Sequence, residues 1–149
     1  MIGMNLKTFK ATMFADSKAI LSVMDRRVNW VLKRFGAFVR RTARGSIRRR
    51  KRRSLPGQAP TNRTGLLKNH IYFVANPHTR NVIIGPAEMK GRFQGAEILE
   101  ALESGGMSPV YAGKGKTKKV FVEARPFMGP AFEKEKPKLP QIWRESITK

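Results

Sequence analysis

Gly115-Lys116-Thr117 ends as a phosphate-cradling loop ends, with a glycine that lets backbone N–H groups turn toward a phosphate and a lysine that reaches its charge. The full motif needs a further glycine five positions before Gly115, and Val110 stands there. The triplet also leads into a strand-like run, so no helix N-terminus would face the phosphate. His70 and His78 are the only histidines, with no acidic residue between them, short of the donor set a zinc or similar site requires. They read as a strand cap and a turn residue. Glu97, Glu100 and Glu103 recur three apart. A carboxylate pair does acid–base work when its members sit in unlike environments, whereas these three lie on one helix face opposite Ile98, Leu99 and Leu102. That pattern reads as a solvated face or one that meets a basic neighbour. No serine stands in a Gly-x-Ser-x-Gly setting, and the absence of cysteine excludes disulfides, thiolate metal sites and a cysteine nucleophile. The expectation is a non-enzyme without cofactor or metal.

The strongest chemical signal is charge. Thirty-one lysines and arginines face 10 acidic residues, a net charge of +21, which seeks phosphate, anionic lipid or acidic protein. Residues 1–53 hold 16 basic and 2 acidic side chains, against 15 and 8 in residues 54–149. Arg40, Arg41, Arg44, Arg48, Arg49, Arg50, Lys51, Arg52 and Arg53 place nine cations in fourteen residues. If about six of them met duplex phosphates, the salt slope would be about −5, and a roughly fourfold rise in salt would weaken binding about 10³-fold. Such contact ignores base sequence, because phosphates position and base edges specify. The band has no aromatic residue, unlike stacking single-strand binders, so a duplex or an acidic protein surface is the expected partner. No membrane role is expected, because the long helix described next lacks the flanking aromatics of an interfacial helix.

The elements that must position these residues follow from spacing. Ile20, Met24, Val28, Val31, Phe35, Phe38 and Thr42 step by three or four, the period of one helix face, and predict a helix from a cap at Asp16 or Ser17 to about Ile47. Residues 1–15, which hold Lys7 and Lys10 and never run apolar as a secretory leader does, are expected as an N-terminal arm. Six adjacent like charges at 48–53 disfavour a free helix, and Pro56, Gly57 and Pro60 forbid one, so residues 48–63 read as a basic arm and loop. Residues 64–69 form a single helical turn. Residues 70–75 and 82–85, rich in β-branched and aromatic side chains, pair across the turn chemistry of Asn76-Pro77 and Asn81 as a hairpin. Residues 95–104 form a short amphipathic helix stopped at Gly105. The glycines, prolines and lysines of 107–119 predict a mobile loop, followed by a strand at 120–124. Residues 127–136 and 141–147 look helical, interrupted at Pro137 and Pro140. The sum is one α+β domain over residues 1–149: a long N-terminal helix, a small antiparallel sheet with a short helix, and a C-terminal helix.

Two stretches resemble the small head-tail joining proteins of tailed bacteriophages, the neck, tail-completion or minor tail proteins. In the first, the basic helix end Arg40-Arg41-Thr42-Ala43-Arg44 leads through Pro56-Gly57-Gln58-Ala59-Pro60 to the Thr64-Gly65-Leu66-Leu67 turn entering a strand. The second is Arg125-Pro126-Phe127, where a strand exits into the C-terminal helix, and Leu99 to Gly106 matches the family's helix end loosely. Together they span roughly residues 37–147. The resemblance implies a structural virion protein of the neck: a homo-oligomeric ring, hexamer or dodecamer, joining the DNA-filled head to the tail and letting the genomic duplex pass. Its partners would be other neck, portal-side and tail-tube proteins, and it would be made in the host cytoplasm. Phe127 is expected in the core. Glu97, Glu100, Glu103 and Met128 are candidate subunit-interface residues, the acids receiving a neighbour's arginines. The alternative is a sequence-nonspecific nucleic-acid-binding protein of nucleoid or ribosomal type, acting through residues 40–53.

Overall fold

The computed structural model describes residues 6–87, 96–113 and 116–148; side chains at 6–16, 96, 111–113 and 116 lie outside the description. Helix α1 spans Leu6–Ser46. It begins ten residues before the expected cap at Asp16, because nothing from Leu6 to Ala15 is a proline or glycine and a helix once started propagates until something stops it. Most of the expected N-terminal arm is therefore helix.

The core is built on the second half of α1. Val31, Phe35, Val39, Ala43 and Ile47 recur every four residues and are buried. One side is covered by the hairpin of β1 (Ile71–Asn76) and β2 (Asn81–Pro86), antiparallel with Tyr72 opposite Gly85 and Val74 opposite Ile83. The hairpin lies so close to α1 that a Cβ on Gly36 would meet Phe73 at 2.7 Å and Val82 at 3.0 Å, so glycine is what lets the two elements approach. The turn is closed by the Asn76 side chain, which accepts from the N–H groups of His78 and Thr79.

The other side of α1 is covered by α4 (Met128–Glu135) and α5 (Leu139–Ile147), joined by a 3-10 turn at Lys136–Lys138. Phe35 and Phe132 meet edge to face at 5.6 Å, and Phe127 and Ile142 fill the remaining space. Pro137 sits in the 3-10 turn, and Pro140 in the first turn of α5, where its missing N–H leaves no bond unmade. Thr42 donates to the buried Glu135 carboxylate at 2.6 Å, and Lys138 donates from the other side at 2.6 Å. Burial raises the Glu135 carboxyl, but the hydrogen bonds from Lys138 and Thr42 and the charges of Lys138 and Lys134 outweigh it and hold the group below its ordinary value.

The remaining layer is α3 (Ala96–Ser104) packed on a second hairpin, β3 (Gly106–Gly113) with β4 (Lys116–Val122). The expected mobile loop at 107–119 is thus a two-stranded sheet, and the sheet component of the fold is two separate pairs. A two-stranded sheet is all edge, so Pro109 and the exposed lysines 118 and 119 fit strand positions that a central strand would refuse. Helix α2 (Leu66–Asn69) is the predicted single turn, entered through Gly65 at φ 86°.

Candidate nucleic-acid interface

The basic band is not one surface. Arg40 points from α1 to β1: its Nε donates to the Ile71 carbonyl at 2.7 Å and its guanidinium lies 5.8 Å from the Tyr72 ring. This arginine fastens the hairpin to the helix, which corrects its expected place among the partner-facing cations. Arg44 is half-buried and reaches the Asn69 side chain at 3.5 Å. Arg41 is exposed, as are all six side chains from Arg48 to Arg53.

Those six lie on a backbone that is tied down at both ends. The Arg48 carbonyl accepts from the Asn62 N–H at 3.1 Å, and the Lys51 carbonyl accepts from the Arg63 guanidinium at 3.0 Å. The Ser54 carbonyl accepts from Arg125 Nε at 3.3 Å, and the Gly57 N–H donates to the Ala124 carbonyl at 2.8 Å. With Pro60 buried, the segment is a pinned loop that displays its cations rather than a free arm. The basic charge also follows the C-terminal end of α1, where the helix dipole favours it.

Arg125-Pro126-Phe127 is the corner that holds this loop. The Arg125 guanidinium is buried, paired with Glu123 at 2.8 Å, and its backbone N–H donates to the Leu102 carbonyl at 2.6 Å. Phe127 is 1% exposed, in the core as expected. Met128, a candidate interface residue, is half-buried and packs against the same core.

Glu103 is not available to a neighbour. Its carboxylate accepts from the N–H groups of Phe127 at 3.0 Å, Met128 at 3.2 Å and Gly129 at 2.7 Å, capping α4, whose own first residues provide no side-chain cap. This corrects its expected place on a solvated acidic face. Glu97 and Glu100 are exposed as expected. Asn62 and Arg63 are anchors that the sequence reading missed, and Glu103 and Arg125 are residues it singled out without their anchoring roles. Only Asn62 left a local signal, an Asx residue whose side chain accepts from the Gly65 N–H three residues on.

Among the described residues no three His, Asp or Glu side chains gather to hold a metal, and no helix is long and apolar enough to cross a membrane. Lys116 and Thr117 lie in β4, and residues 114 and 115 are outside the described residues. No family model, curated protein or solved structure matches the chain.

Proposed function

We propose that this protein is a ring-forming structural subunit of a tailed-phage neck, joining head to tail, with its residues 48–53 turned toward the DNA that passes through. The observation behind the DNA assignment is the disposition of the carboxylates. Among the described residues Asp25, Glu123, Glu133, Glu135 and Glu145 are in ion pairs inside the chain, and Glu103 caps α4. None of those ion pairs uses a cation from residues 40–53. Glu97 and Glu100 are then the only described carboxylates left to offer a neighbouring copy, and two cannot neutralise six adjacent cations. A polyanion of another kind can, and a duplex presents a phosphate charge about every 1.7 Å. The likeness of the 40–71 and 124–133 stretches to head-tail joining proteins supplies the setting, the virion neck, with assembly in the host cytoplasm. The setting needs no catalytic group.

Two measurements test the proposal. Duplex binding followed by fluorescence anisotropy across a salt series should show a slope of about −5, and replacing Arg48, Arg49, Arg50, Lys51, Arg52 and Arg53 by serine should remove most of it. Electron microscopy of the purified protein should show rings. A slope unchanged by the replacement overturns the assignment of residues 48–53. Tight, salt-dependent binding by a chain that never assembles overturns the neck reading in favour of a sequence-nonspecific nucleic-acid-binding protein.

A further inference from the structure

The outer face of the second hairpin carries an aromatic residue of the kind the basic band lacks in sequence. Directly opposed residues of an antiparallel pair share a face, so the register puts Met107 with Phe121 and Pro109 with Lys119 on one side of β3 and β4. The other side bears Ser108, Val110, Val120 and Val122, and its three valines line a groove of about 870 Å³ with Ile98, Leu99 and Leu102 of α3. That side is turned toward the rest of the molecule, and Ser108 is fully buried there. Phe121 and Met107 stand opposite each other on the outward side, 67% and 61% exposed.

Cations reach this aromatic from two directions. Lys119 is exposed on the same face, two residues before Phe121 and so about 7 Å away along the strand. Arg53, the last cation of the pinned loop, is exposed and lines the same groove as Phe121. The loop is brought there by the bonds that fasten Ser54 to Arg125 and Gly57 to Ala124, just past the end of β4. Among the described residues neither Arg53 nor Lys119 is in an ion pair. Glu123, the carboxylate next along this strand, is held by Arg125 at 2.8 Å. The fold thus sets an aromatic beside residues 48–53 that is remote from them in sequence.

An exposed ring between unpaired cations, with the adjacent acid engaged, fits a chain that alternates flat π faces with negative charges. Unpaired nucleic acid has that alternation, and proteins that hold it combine a cationic track with aromatic side chains on which bases stack. An apolar protein surface matched to Phe121 and Met107 would supply no charge for Arg53 and Lys119. A duplex keeps its base faces stacked inside, out of reach of Phe121. We propose that the outer face of β3 and β4 is a stacking platform for an unpaired stretch of DNA, a base lying on Phe121 beside Met107 and the flanking phosphates on Lys119 and Arg53. The platform rests on the assignment of residues 48–53 to DNA and extends that contact to a place where the two strands are apart.

The test is fluorescence anisotropy of the full chain with a labelled oligothymidine of about 12 nucleotides and, separately, with a duplex. The wild type should bind both. Phe121→Ala, at an exposed position, should keep the wild-type circular dichroism, weaken oligothymidine binding about 10-fold with its salt slope unchanged, and leave duplex binding as it was. Phe121→Tyr should restore the oligothymidine affinity, because the base meets the ring. Oligothymidine binding that Phe121→Ala does not change, or an equal loss on the duplex, overturns the platform and leaves the duplex assignment of residues 48–53 standing. So does a wild type that binds the duplex and not oligothymidine. A wild type that binds neither overturns both.

Discussion

The two halves of α1 are made of the same kinds of residue at the same spacing, yet they lead different lives. Val31, Phe35 and Val39 are buried under two hairpin strands and two helices, while Ile20 and Met24, on the same helical period, stand in solvent. Periodicity fixes the helix and its apolar face but says nothing about what covers that face. The cover comes from residues 71–86 and 128–147, which among the described residues bury only the second half and reach the first through the Arg80–Asp25 ion pair. The first half is helix by continuation, and its apolar positions Ile20, Leu21, Val23 and Met24 are exposed.

Substitutions along and beneath the helix should break or sharpen this contrast, the largest effect coming first. Phe35→Ala leaves a cavity between α1 and α4 and should cost about 3–5 kcal/mol in urea unfolding, whereas Met24→Ala in the dilute, unassociated chain should stay within about 0.5 kcal/mol. Equal costs would mean the first half has a cover of its own. Glu103→Ala removes the cap of the helix that covers Phe35. It should cost about 1–2 kcal/mol and speed hydrogen exchange at the Phe127, Met128 and Gly129 amides at the start of α4, with exchange on α1 unchanged. The smallest effect is acid sensitivity at Glu135, which grips the buried half through Thr42. Its folded-state carboxyl lies below its ordinary 4.5, so the unfolded chain binds more protons in that range. The stability it contributes is complete above about pH 4.5 and lost as pH falls through the folded value. Glu135→Gln should therefore flatten the stability–pH curve below pH 4.5 and leave its shape near neutrality unchanged.

How far the molecule was legible in its residues depends on the range of the interactions. The helix face from Val31 on, the hairpin around Asn76 and the amphipathic helix at Ile98 follow from local period and turn chemistry, and they stand where the spacing puts them. The hairpin of β3 and β4 was hidden because Pro109 and the lysines read as loop signals, and its stability comes from pairing and from packing on α3. The site was harder still. Arg40 belongs to the basic band by sequence and to the β1 clamp by geometry, because the Ile71 carbonyl it meets is 31 residues away. Glu103 looked like one of three solvated acids, and only the fold brings the start of α4 to it, 24 residues on. Charge composition leads to the expectation of a polyanionic partner but does not tell displayed cations from those already engaged.

The ties at Arg48–Asn62, Lys51–Arg63 and Ser54–Arg125 also bear on how the basic loop would act. A floppy cationic tail must give up its conformational freedom when it meets a rigid polyanion, which offsets much of the electrostatic gain. A loop fastened at both ends has surrendered that freedom during folding, so a grip on a duplex, as proposed, would form with little further ordering. Its backbone geometry also sets how far the six charges can spread, and so how closely a passing strand can be followed.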